Sequence, residues 1–140
     1  MKVGIIRLSL FGKIFLNMKQ WVFLSYDMSF QGSFAELYKW LDVHKAQECG
    51  DSFCRFVYDF KSIAEDVTSE EETMAMVREI RADLTKAVHF LSSERVYIVT
   101  GFFVKGKKQP AGIFLVGNRK QTNPWDGASG EAEFQQNIDE

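Results

Sequence analysis

Apolar and polar positions follow two different spacings along the chain, and the changes of spacing divide it into elements. Residues 21–27, Trp-Val-Phe-Leu-Ser-Tyr-Asp, are aromatic or β-favouring almost throughout; they predict a central strand buried on both faces, with Asp27 at its carboxyl end. A turn over 28–33 follows, in which Gly32 supplies backbone freedom and Ser33 an N-cap, with Glu36 at capping-box spacing. Phe34, Leu37, Tyr38 and Leu41 then recur at i, i+3, i+4 and i+7, one helix face, leaving Lys39 and Asp42 to solvent. Residues 46–60 predict a hairpin turning at Gly50-Asp51. In its longer strand Cys54, Phe56, Tyr58 and Phe60 suit a core, and Phe53, Arg55, Val57 and Asp59 a partly solvated face.

A polar connection over 61–68 leads to a second capping box, Ser69 with Glu72, whose neighbouring acids favour the positive end of a helix. That helix is expected to run to about residue 91, with Val77, Ile80, Leu84, Ala87, Val88 and Leu91 inward and Arg78, Arg81 and Lys86 outward. Residues 95–104 predict a strand, 105–112 a basic turn and 113–116 a last strand. The order predicts an α+β, ferredoxin-like βαββαβ domain over residues 18–117. It carries an additional C-terminal strand, and both helices lie on one face of an antiparallel sheet. Residues 118–140 form a C-terminal arm and an acidic tail that is expected to fray. The first 17 residues contain no acid. They are either an extension upstream of a natural start at Met18 or an extra strand or docking arm.

Composition narrows the class. A chain of 140 residues, 46% hydrophobic with thirteen Phe, suits one packed domain. Net charge is −2, so no global basic field draws the protein to nucleic acid, and any such contact needs a local patch. Cys49 and Cys54 are too few for a zinc ribbon, and His44 and His89 lie at no ligand spacing. Reduced thiols in a cytoplasmic protein are expected, with a disulfide the alternative. No stretch reaches the ~18–20 apolar residues of a membrane span, and no cleavage site follows the apolar residues 3–16.

The segment Leu24-Ser25-Tyr26-Asp27, the amphipathic helix over 34–41, Asp51-Ser52-Phe53 leading into a strand, and Glu94-Arg95-Val96-Tyr97-Ile98-Val99 together resemble a known group. They are similar to the small CRISPR-associated nucleases that assist spacer integration, and more closely to the SinR-like and VapD-like relatives of those nucleases. The resemblance covers roughly residues 20–104. It implies a ferredoxin-like fold, a homodimer, and an aspartate closing the first strand that holds a divalent cation at a symmetric dimer interface. The matching position is Asp27. After residue 104 the chain departs from that group, with a basic hairpin tip and the stretches Gly117-Asn118-Arg119-Lys120 and Pro124-Trp125.

Asp27 is therefore the candidate catalytic residue and Mg²⁺ ligand, since Mg²⁺ takes hard oxygen donors and retains waters. The plainer role for Asp27 is to cap the following turn. Ser25 and Tyr26 are candidates for substrate contact or local packing. Lys105, Lys107, Lys108, Arg119 and Lys120 are the basic cluster that would grip phosphates, with Trp125 stacking on a base. Lysines at a strand edge also protect it from aggregation, and Trp125 also suits a cover for the sheet. His44 and His89 suit helix C-termini, and neither belongs to a triad. The functional expectation is a small dimeric protein that binds or cuts nucleic acid with Asp27 and Mg²⁺. The alternative is a non-catalytic dimerisation or adaptor module whose C-terminal segment binds a protein partner.

Overall fold

Period-two alternation builds one sheet, and the two helical stripes cover one side of it. The computed structural model describes residues 2–8, 14–30, 32–64, 69–104, 107–118 and 123–130. Its elements are β1 (Lys2–Leu8), β2 (Ile14–Asp27), α1 (Phe34–Val43), β3 (Gln47–Gly50), β4 (Phe53–Ala64), α2 (Ser69–Ala87), β5 (Arg95–Val104) and β6 (Lys107–Val116). All pairings are antiparallel. The sheet runs β3-β4-β2-β5-β6, with β1 also paired to β2. The protein is thus α+β, and its sheet is wider than the four strands of a ferredoxin-like domain.

The core lies between the sheet and the helices. Val22, Leu24, Cys54, Phe56, Tyr58, Phe60, Val96 and Ile98 point from the sheet into it. Leu37, Trp40 and Leu41 meet them from α1, and Met76, Val77, Ile80 and Leu84 from α2. Both helices use the same face: the Trp40 ring packs edge-on against Phe56 at 5.5 Å, and Tyr58 donates its hydroxyl to Asp83 at 2.8 Å. Each fully buried aliphatic side chain contributes roughly 1.5–3 kcal/mol, so the interleaved stripes hold the layers together.

The strand around residues 21–27 differs from expectation in two ways. It begins at Ile14, because the polar positions Lys19 and Gln20 do not interrupt it; Gln20 is buried and its amide donates to the Met18 sulfur. It is also buried on one face only. Trp21 and Phe23 stand on the uncovered side while Val22 and Leu24 are fully buried. An antiparallel sheet with both helices on one face leaves the other to solvent.

Helix ends also shift. The Ser33–Glu36 capping box is replaced by longer reaches: Ser33 Oγ donates to the His89 carbonyl at 2.6 Å, and Glu36 accepts from the His89 backbone N–H. α2 stops at Ala87, and Leu91 lies in the connection to β5. Arg81 is not simply solvated. Its Nε and Nη2 donate to the Leu115 and Phe114 carbonyls at 3.0 and 3.1 Å, pinning α2 to β6. The hairpin turn falls on Asp51-Ser52, with Ser52 at φ 57° and its carbonyl accepting from Tyr26 N–H. β6 starts at Lys107 instead of residue 113; Pro110 is tolerated there because β6 is an edge strand.

Candidate functional site

The uncovered face of the sheet is an aromatic platform. Register places Trp21 beside Val57, Phe23 between Arg55 and Val99, Ser25 between Phe53 and Tyr97, and Phe114 beyond Tyr97. Phe23 and Phe53 stack diagonally across β2 and β4, with centroids 6.1 Å apart and planes 18° from parallel. The Arg55 guanidinium lies 5.8 Å from the centroid of Trp21 and donates to Gln47 at 3.3 Å. Trp21 is 52% exposed and Val57 42%, well above what core residues show. On the far side Tyr97 and Phe114 meet edge to face at 4.9 Å. Tyr97 leans across Gly112, where a Cβ would overlap its hydroxyl.

Asp27 closes this face at one corner. Its carboxylate accepts a hydrogen bond from Arg95, the residue opposite it on β5. The Asp27 side chain is 62% exposed and Arg95 30%. Just below the corner, the buried Glu94 accepts from Ser29 N–H at 3.2 Å and Leu91 N–H at 2.6 Å, tying the β2–α1 and α2–β5 connections together.

The donors around Asp27 within one chain do not fit a divalent cation. One carboxylate stands there beside a guanidinium, whereas Mg²⁺ is usually held by one or two carboxylates free to face it. Among the described residues no group of three or more His, Cys, Asp and Glu is arranged to hold a metal.

Lys107 and Lys108 open β6, while Lys105, Arg119 and Lys120 lie outside the described residues. Trp125 is 68% exposed in a run of turns closed by Asp126 N–H to Asn123 and Ala128 N–H to Trp125. Ser25 is exposed on the platform, and Tyr26 is on the helical side beside Phe34 and Tyr38.

The histidines take side-chain partners. His89 Nδ1 lies 3.0 Å from Glu36, and that contact holds the Glu36 carboxyl below the usual carboxylate range. His44 sits 4.2 Å from Trp40, ring to ring, with Nε2 3.5 Å from the Asp83 carboxylate that Tyr58 also bonds. Burial lowers the His44 pKa, and Asp83 partly opposes that. Both cysteines are free; Cys49 is exposed, and burial with the nearby Cys49 pushes the Cys54 thiol up to about 11.

Trp21, Phe23, Phe53, Tyr97 and Phe114 were not expected as site residues. Their signal was the solvated face of residues 53–59: a strand paired beside it must expose the same side, which in residues 21–27 means Trp21, Phe23, Ser25 and Asp27.

Fold and site together define a class: an α+β protein with a one-sided antiparallel sheet and an open aromatic face. No family model, curated protein or solved structure matches the chain. No helix among the described residues is long and apolar enough to cross a membrane.

Proposed function

We propose that this protein binds single-stranded nucleic acid across the open face of its sheet. The reading treats β2-α1-β3-β4-α2-β5 as a ferredoxin-like unit, supported by its strand order β3-β4-β2-β5, with β6 and β1 as additions. The observation that carries it is the Trp21, Phe23 and Phe53 group on the two central strands, with the Arg55 guanidinium over Trp21. A sheet whose central aromatics stack two or three bases is an established way to hold a single strand. Stacking needs only a π-face, so the binding tolerates sequence. Arg55 on the face would meet phosphates. The slope of affinity against salt counts the phosphates that the face neutralises, and stacking carries the rest of the affinity.

Cleavage through Asp27 and Mg²⁺ would require a second copy to supply the other carboxylate. Binding requires no second copy. The test is fluorescence anisotropy with short labelled oligouridylate and oligothymidylate. Trp21→Ala and Phe23→Ala should each weaken binding roughly ten- to a hundredfold, the worth of one stacked base. Trp125→Ala should leave it nearly unchanged. Equal binding by all four proteins, or none by the wild type, overturns the reading. So does a wild-type dimer that Trp21→Ala turns into a monomer in sedimentation, because the face would then be covered by another copy.

A further inference from the structure

Beside the platform, with which it shares Phe53, a cavity of about 330 Å³ lies between α1 and the β3–β4 hairpin. That is the small end of the ~300–1,000 Å³ range of ligand pockets. Its lining includes Tyr26, Tyr38, Leu41, Asp42, Glu48 and Phe53. Three are aromatic, two are carboxylates, and no Lys, Arg or His belongs to the lining. Tyr26 and Tyr38 meet at 72° with ring centroids 6.1 Å apart, and Phe34 packs edge-on against both. Both carboxylate residues and Tyr38 are exposed, so a ligand has access from solvent.

We infer that this cavity is a binding site for a small organic cation of the methylated-ammonium class. Aromatic walls attract such a cation through their ring quadrupoles, and methyl groups shed water more readily than a bare ammonium does. Asp42 and Glu48 add a negative potential, which a low-dielectric wall concentrates. The Tyr26 phenol contributes as a neutral group. Burial first, then Tyr38, Cys54 and Glu48, holds its pKa well above the ordinary phenol value. An anion would meet two carboxylates without a balancing cation, and a neutral apolar ligand would leave both carboxylates unused. This inference does not rest on nucleic-acid binding by the platform.

The probe is choline, titrated into isotopically labelled full-length protein and followed by amide NMR shifts. Its uncharged carbon isostere, dimethylbutanol, is the control. Saturable shifts at Tyr26, Tyr38 and Glu48 are expected, with the isostere at least tenfold weaker. Tyr38→Ala and Glu48→Gln should each weaken choline roughly two- to thirtyfold, and Tyr38→Phe should restore binding. Tyr38 and Glu48 are exposed, so these variants should fold; amide spectra check that directly. Two further arms, phosphatidylcholine vesicles and a trimethyl-lysine peptide, set beside free choline, separate a lipid headgroup, a modified protein and a metabolite as the source. Preferential binding of any one supports the site. Binding of none, equal binding of the isostere, or shifts confined to other residues overturns it.

Discussion

Glu94→Ala should be among the most damaging single substitutions in this protein. The side chain is fully buried, at 0% exposure, and its two oxygens accept from two backbone N–H groups in different connections. Removing it leaves both donors without that acceptor, at roughly 1–3 kcal/mol each, and opens a void. The expected loss is about 3–5 kcal/mol, a large part of the ~5–15 kcal/mol that holds a domain of this kind folded. Glu94→Gln keeps one acceptor but turns an amide NH₂ toward the other N–H, so about 1–3 kcal/mol is expected. The cause can be isolated with Gly32→Ala, because a Cβ there would overlap Glu94 Oε2. That substitution should be costly in the wild type and much cheaper in Glu94→Ala, with a coupling above about 1 kcal/mol. Urea unfolding followed by circular dichroism reads all five proteins, and midpoints convert through a slope of ~1–3 kcal/mol per molar urea. A Glu94→Ala protein within about 0.5 kcal/mol of the wild type, or strictly additive substitutions, would refute the reasoning.

Two further outcomes follow from the titratable groups. Because burial depresses the folded pKa of His44 below its unfolded value near 6.5, its protonation favours the unfolded chain. Its contribution is complete above about pH 6.5 and lost as pH falls from there toward the folded pKa, so His44→Phe should flatten the stability loss over that window. An unchanged loss in denaturant titrations at the two ends of the window would count against it. The two thiols should also separate: iodoacetamide should label Cys49 rapidly in the native protein and Cys54 only after unfolding, since burial and a thiol pKa of about 11 suppress its thiolate. Equal native labelling rates, read by mass spectrometry, would contradict the buried placement.

The layers were legible because hydrophobic burial leaves a periodic trace. Leu37 and Leu41 on α1, Ile80 and Leu84 on α2, and Phe56 and Tyr58 on β4 all point inward as their spacing requires. Pairing was less legible. Nothing in residues 14–20 says that Gln20 is buried, and Pro110 with Gly112 hides β6, whose place as an edge strand comes only from the assembled sheet. The open face was misread for a definite reason. Trp21 and Phe23 are as apolar as core residues, and aromatic content alone cannot distinguish a side chain under a helix from one held out to a ligand. The Arg81 bonds to β6 and the Glu94 bond to Ser29 were missed because those partners are backbone groups far away in sequence, a kind of contact that leaves no spacing to read.

The corner at Asp27 is where local chemistry and resemblance diverge most, and charge decides how to separate them. A cation bound to Asp27 must tolerate the Arg95 guanidinium already bonded to that carboxylate. Two like unit charges about 4 Å apart repel by roughly 1 kcal/mol in water and about 4 kcal/mol near a protein surface, and a divalent ion doubles both. If Asp27 holds Mg²⁺ with a second copy, Arg95→Gln should strengthen Mg²⁺ binding, and Asp27→Asn should abolish any Mg²⁺-dependent cleavage while leaving the fold intact. If the pair is instead a partly exposed strut between β2 and β5, neither variant should alter a Mg²⁺ response. Each should then cost under about 1 kcal/mol, as exposed ion pairs do. Isothermal titration with Mg²⁺ against wild type, Arg95→Gln and Asp27→Asn makes the choice. We expect the strut, because the Arg95 guanidinium bonded to Asp27 would repel a divalent ion at the same carboxylate.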